Sequence, residues 1–191
     1  MTRVYMIRHG KPQSSWGDHG ADPDPGLDEI GRRQAQAASG ILMALPAAHR
    51  PTHVLTSPLK RCRETALPFA MALDVQPGVE RLVAEIPTPT GLSEVERGPW
   101  LRGAFQQTWA EVKGDINYGD WRTRVARAVA EHGSAAIFTH FVAINAAVSA
   151  ATGDERVLSF RPDHASITVF ESDGETLTLV ERGAEAETGV L

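Results

Sequence analysis

The sequence predicts an α/β fold built on a mostly parallel sheet. Three observations carry that expectation. Strand-like and helix-like segments alternate from the N-terminus, strand, helix, strand, helix, which is the signature of an α/β sheet. Val4–Ile7 and Ala135–Thr139 are short unbroken apolar runs, the pattern of buried strands. Three of the strands run into residues suited to an anion: Arg8 and His9 after the first, Ser57 after the second, His140 after the fourth. Open α/β sheets bind ligands at the carboxyl ends of their strands.

Taken in order, Val4-Tyr5-Met6-Ile7 reads as the first strand, ending in Arg8-His9-Gly10. Ser14 to Gly26 is rich in Gly, Pro and Asp and reads as an excursion loop placed to wall or cover the residues before it. Asp28 is a helix N-cap candidate. Leu27, Ile30, Ala35, Ala38, Ile41, Leu42 and Leu45 give the following helix an apolar face, and Pro46 ends it. Thr52–Ser57 reads as the second strand. Ser57-Pro58 reads as an N-cap with proline at the first helical position, opening a helix whose apolar face is Leu59, Cys62, Ala66, Phe69, Ala70 and Leu73. A third strand is expected over Val79–Ile86, and a helix over Trp100–Lys113, inside a second excursion spanning 86–118. Trp121–Glu131 and Ala143–Ala151 read as helices flanking the strand Ala135–Thr139. Ser166–Glu171 and Thr176–Glu181 alternate in polarity around Ser172-Asp173-Gly174-Glu175, a hairpin signal, and the polar tail after Gly183 is expected to fray.

The 191 residues suggest a single domain able to bury its own core. The net charge of -5 argues against nucleic acid or an anionic membrane as partner, so any anionic substrate must be drawn by a local basic site. The single cysteine, Cys62, forbids an intramolecular disulfide. Only four apolar residues separate Arg3 from Arg8, too few for a signal-peptide core. No apolar run approaches the ~20 residues needed to span a bilayer. A cytoplasmic location is the expectation.

In a mostly parallel sheet the three strand ends lie along one edge, with helix N-termini beside them. Arg8, Arg61, His9 and His140 would then line a pocket for a dianionic phosphoryl group, since guanidinium forks bind phosphate oxygens bidentately. A neutral imidazole can attack phosphorus and form a phosphohistidine, and arginines lower its pKa. A carboxylic acid at the mouth would protonate the leaving alcohol. This route needs no metal or cofactor, and His19, His49, His53, His132 and His164 show no metal-ligand spacing. His164 precedes a strand and could approach the pocket. Cys62, on an apolar helix face, reads as core.

Arg8-His9-Gly10, followed by Ser57-Pro58-Leu59-Lys60-Arg61-Cys62-Arg63-Glu64-Thr65-Ala66, resembles the histidine phosphatase superfamily, phosphoglycerate mutase-like branch. Cys62 stands where that family usually has alanine, and Thr139-His140 continues into Phe141-Val142-Ala143 where glycines are usual. The resemblance implies a three-layer sandwich with helices on both faces of the sheet. It implies that His9 is phosphorylated and that Arg8, Arg61 and His140 hold the phosphoryl group. It also implies a general acid after the second helix, for which Val83-Ala84-Glu85 offers Glu85. The expected function is a metal-independent phosphatase acting on a phosphorylated small molecule through His9. Mutase-type phosphoryl transfer and a non-catalytic phosphate-binding module are the alternatives. The chain is shorter than the glycolytic mutases it resembles, which favours hydrolysis.

Overall fold

The computed structural model describes residues 1–14 and 22–187. Its centre is the first apolar run, which forms β1 (Thr2–Arg8). Successive side chains of a strand point to opposite faces, and here both faces are buried. Val4 and Met6 enter one core cluster while Tyr5 and Ile7 enter another. β4 (Ala135–Thr139) divides its side chains likewise, Ala135 and Ile137 to the first cluster, Ala136 and Phe138 to the second. The second cluster is covered by α1 (Glu29–Ala44) through Ala38 and Leu42, and by α2 (Lys60–Leu73) through Cys62, Ala66, Phe69 and Ala70. The first is covered by α4 (Tyr118–Glu131) through Val129 and Ala130, and by α5 (Phe141–Thr152) through Ile144, Ala147 and Val148. Continuous apolar strands therefore give the expected three layers, helices on both faces of one sheet.

With β2 (His53–Thr56), β3 (Gly78–Val79), β5 (Ile167–Ser172) and β6 (Leu177–Glu181), the sheet runs β3-β2-β4-β1-β5-β6. β3, β2, β4 and β1 are parallel, and β5 and β6 are antiparallel additions. The register pairs Arg8 with Thr139 and Thr56 with Phe138. The residues that follow, His9, His140 and Ser57, therefore emerge side by side at one sheet edge. Among the described residues no helix is long and apolar enough to cross a membrane.

Several local expectations give way to contacts distant in sequence. The strand expected over Val79–Ile86 stops at Val79. The Glu80 carboxylate accepts from Leu82 N (2.9 Å) and turns Arg81–Val83 into a 3-10 helix that sends Val83 into the core. The helix expected over Trp100–Lys113 is instead α3 (Glu94–Ala104), opened by a Ser93/Glu96 capping box. Beyond it, Trp109 N donates to Glu155 O and Val157 N to Gln107 O, so pairing with another segment keeps 107–109 out of the helix. Ile30 and Ile41, assigned to the apolar face of α1, are exposed; its buried face is Gly31, Ala35, Ala38, Ser39 and Leu42. Up to Ala186 the tail does not fray: Asp163 N donates to Ala184 O, and Ala186 N to Arg161 O. The hairpin around Asp173 forms with its carboxylate capping the turn. Residues 15–21 of the Ser14–Gly26 loop lie outside the described residues.

Candidate active site

The edge where β1, β2 and β4 end gathers the buried polar groups Arg8, His9, Ser57, Arg61 and His140. His9 follows β1 and its backbone N donates to Thr139 O (2.9 Å). The chain then turns through Gly10, whose N–H is taken by the Thr65 hydroxyl (3.0 Å) while that hydroxyl donates to Arg61 O (2.6 Å). A Cβ on Gly10 would sit 2.6 Å from Gly31 O, so the turn needs glycine for close approach to α1.

Arg61, in the first turn of α2, lies between the two histidines. Its Nε donates to His9 Nε2 (3.2 Å) and its Nη2 donates to His140 Nδ1 (3.2 Å). A guanidinium can only donate, so each ring nitrogen it meets carries a lone pair. The remaining proton of His9 is then on Nδ1, donated to Gly10 O (2.8 Å). The remaining proton of His140 is on Nε2, facing Ser57 Oγ (2.8 Å). One arginine thus sets two histidines in opposite tautomers, with rings 5.3 Å apart. Burial pushes both imidazoles well below their ordinary pKa. His140, Arg61 and Arg8 add to the effect on His9, and the two arginines add to it on His140. Both rings are neutral near pH 7, and His9 presents Nε2 as a free base.

Arg8 is held from behind. Its Nη1 donates to Pro162 O (2.9 Å), and its guanidinium lies 5.1 Å from the centre of the Phe141 ring. Its buried Nε has no partner among the described residues. Burial lowers its pKa to about 10, with Glu85 and Asp163 opposing, so it stays charged.

Glu85 approaches from the segment after the 3-10 helix. Its Oε2 lies 3.5 Å from His140 Nδ1, its Oε1 accepts from Ile86 N (3.1 Å), and its side chain is 15% exposed. Burial raises its pKa, and Arg61, Arg8 and amides at Ile86 and Val142 pull the other way. Burial is the larger effect, so the net direction is upward. All five sequence-selected residues, Arg8, His9, Arg61, Glu85 and His140, are therefore brought together.

Three neighbours were less legible. Ser57 does not cap α2: the N-cap is Leu59, and the Asp24 carboxylate takes the Lys60 N–H (2.9 and 3.1 Å) from across the loop. That frees the Ser57 hydroxyl for His140. Asp24 also sits 4.0 Å from Arg61 Nη1. His164 does reach the site: its Nδ1 contacts His9 O (3.2 Å), its ring lies 5.6 Å from that of His9, and burial lowers its pKa to about 4. Cys62 is buried on α2 as expected, with burial pushing its thiol far up. Among the described residues no three His, Cys, Asp or Glu side chains converge as a metal-holding set.

A family model described as the histidine phosphatase superfamily (branch 1) matches residues 4–185. The chain is 31% identical over 123 residues to the transcription factor tau 55 kDa subunit of Saccharomyces cerevisiae, covering 56% of this chain and 27% of that one. It is 32% identical over 133 residues to the bifunctional protein Rv2228c of Mycobacterium tuberculosis, covering 66% of this chain and 36% of that one. It thus spans about a quarter to a third of the length of these relatives. Among solved structures it is similar to a phosphoserine phosphatase from Entamoeba histolytica in complex with 3-phosphoglyceric acid (TM-score 0.74, 19% identity, 96% of this chain and 98% of that one). It is also similar to the mycobacterial glucosyl-3-phosphoglycerate phosphatase Rv2419c with inorganic phosphate (TM-score 0.71, 20% identity, 99% and 100%). At these identities the structural likeness establishes the fold.

Proposed function

The chain belongs to the histidine phosphatase superfamily, and from that membership we propose that it hydrolyses a phosphate monoester through a phosphohistidine on His9. The observation that carries this reading is the state of His9. Its Nδ1–H is anchored on Gly10 O and its Nε2 lone pair is directed at the Arg61 guanidinium, where a phosphoryl group would bind.

In the first step the Nε2 lone pair forms a bond to phosphorus and the bond from phosphorus to the ester oxygen breaks. The protonated carboxyl of Glu85 gives its proton to the departing oxygen, which leaves as the alcohol. The positive charge that grows on the His9 ring is eased by the hydrogen bond from Nδ1 to Gly10 O. Arg8, Arg61 and His140 hold the equatorial oxygens and stabilise their charge. In the second step water attacks phosphorus, the Glu85 carboxylate takes its proton, and the bond to Nε2 breaks. Inorganic phosphate leaves, with His9 and Glu85 restored. Charge stabilisation, nucleophile and proton donor all come from side chains, so the reaction is read as metal-independent. The names of the structural neighbours support a phosphorylated small molecule as substrate, and the single buried thiol is compatible with a cytoplasmic setting.

Incubation with an aryl phosphate in excess chelator tests the proposal. Turnover by the wild type, abolished in a folded His9→Ala variant, is expected. Turnover retained in that variant contradicts it.

A further inference from the structure

The proposed function leaves one geometric feature of the site unused. His140 faces the pocket with the wrong hydrogen-bonding character for a phosphate. Arg61 Nη2 donates to its Nδ1, so in the empty site that nitrogen is an acceptor, and a phosphoryl oxygen needs a donor. On the other side of the ring, Nε2, which then carries the proton, is 2.8 Å from Ser57 Oγ.

The Ser57 hydroxyl is fully buried. It accepts from Leu59 N (3.3 Å) and has a second lone pair for the Nε2 proton. Cys62 Sγ also lies 3.3 Å from Nε2, but its thiol proton is directed at Thr139 O (3.4 Å), and sulfur is a weak acceptor. The groups facing Nδ1 are Arg61, the Glu85 carboxyl at 3.5 Å and Cys62 Sγ at 3.9 Å, with the His9 ring 5.3 Å away. We propose that Ser57 is a positioning residue for His140: it holds the proton on Nε2, so that Nδ1 takes up a further proton from solvent when a phosphoryl anion arrives. The imidazolium then donates from Nδ1 to the anion and from Nε2 to Ser57, while Arg61 turns its Nη2 to a phosphoryl oxygen. Anion binding is thereby coupled to uptake of one proton. This rests on the phosphate-site reading above, because it assigns His140 to the bound phosphoryl group.

The test is nitrogen NMR of protein labelled with 15N-histidine, titrated with inorganic phosphate at pH 8, the His140 signals being identified by their loss in His140→Gln. In the wild type Nε2 is expected to be protonated throughout, and Nδ1 to be unprotonated when empty and protonated with phosphate. In Ser57→Ala, Arg61 still donates to Nδ1 but the Nε2 proton has lost its acceptor, so the imidazolium is disfavoured and Nδ1 is expected to stay unprotonated with phosphate. No second proton is then taken up, and the dissociation constant for phosphate rises about tenfold, as for loss of one hydrogen bond to a charged group. Ser57→Thr, which keeps the hydroxyl, and Cys62→Ala are expected to show the wild-type sequence of states. A protonated Nδ1 in the empty wild type overturns the proposal, whether or not the Ser57 variants fold. An unchanged titration in Ser57→Ala, or a lost switch in Cys62→Ala, overturns it equally. Failure of the wild type to bind phosphate at all would instead remove the phosphate-site reading on which it rests.

Discussion

Replacing Glu85 by Gln removes one proton and little else. The amide keeps the shape of the carboxyl and can still accept from Ile86 N, which now donates to Oε1 at 3.1 Å, so the fold should be retained. What is lost is the proton that the proposed mechanism places on Glu85, whose pKa burial raises. A positioned general acid contributes about 10²–10⁴-fold, which at 1.36 kcal/mol per decade is about 3–5 kcal/mol of barrier. That loss is expected in full for a phosphate ester of an alkyl alcohol, whose oxygen cannot leave as an anion. For an ester of an acidic phenol, which leaves unprotonated, the loss should stay below about tenfold, since the acid's contribution depends on the proton affinity of the group it protonates. The pH profile adds a second signature. The proton donor is lost as pH rises through the raised pKa of Glu85, so the wild-type rate on the alkyl ester should fall at high pH, and that limb should vanish in Glu85→Gln. The assay is steady-state phosphate release on the two esters across pH. Equal losses for both esters would refute the assignment of Glu85 as proton donor.

Thr65→Val preserves shape but strands the buried Gly10 N–H that now donates to the Thr65 hydroxyl. A loss of about 1–3 kcal/mol is expected by chemical denaturation, and unchanged stability would contradict it. Gly31→Ala drives a Cβ into Lys11 O; a loss of about 1–3 kcal/mol, together with reduced phosphatase activity from displacement of the turn after His9, is expected in unfolding and rate measurements. Acid should destabilise the protein. His9 and His140 have depressed pKa values when folded, so below the unfolded value of about 6.5 the unfolded chain binds protons that the native one does not. Each contributes up to about 1.4 kcal/mol per pH unit, and the raised Glu85, which binds its proton more readily when folded, acts in the opposite direction. Urea midpoints should therefore fall steadily from pH 6.5 towards 5, whereas a flat profile would refute the buried neutral histidines.

The residues of the site were largely legible because they sit where local patterns are strong. Val4–Ile7 and Ala135–Thr139 are buried on both faces and carry no competing signal, so the positions just beyond them, His9 and His140, could be placed at a sheet edge from sequence alone. Arg61 followed from its place in the first turn of the next helix. What was not legible depended on partners far away in the chain. Ser57-Pro58 has the local form of a helix start, yet the capping is done by Asp24 from another loop, and the serine turns to His140 instead. Val79–Ile86 has strand-like composition, but one hydrogen bond from Leu82 N to the Glu80 carboxylate redirects it. That turn brings Glu85 to the pocket. Trp100–Lys113 has helical spacing, but pairing with 155–157 holds 107–109 in another conformation. His164 lies 155 residues from His9, and only the antiparallel addition of β5 beside β1 brings them together.

The central claim is that His9 carries the phosphoryl group between the two steps. Rapid mixing with an aryl phosphate, acid-free denaturation and intact-mass measurement test it directly. The wild type should gain the mass of one phosphoryl group, stable to base, lost in acid, and located on the peptide containing His9. Absence of that adduct under turnover, or its presence at full occupancy in His9→Ala, would contradict the account.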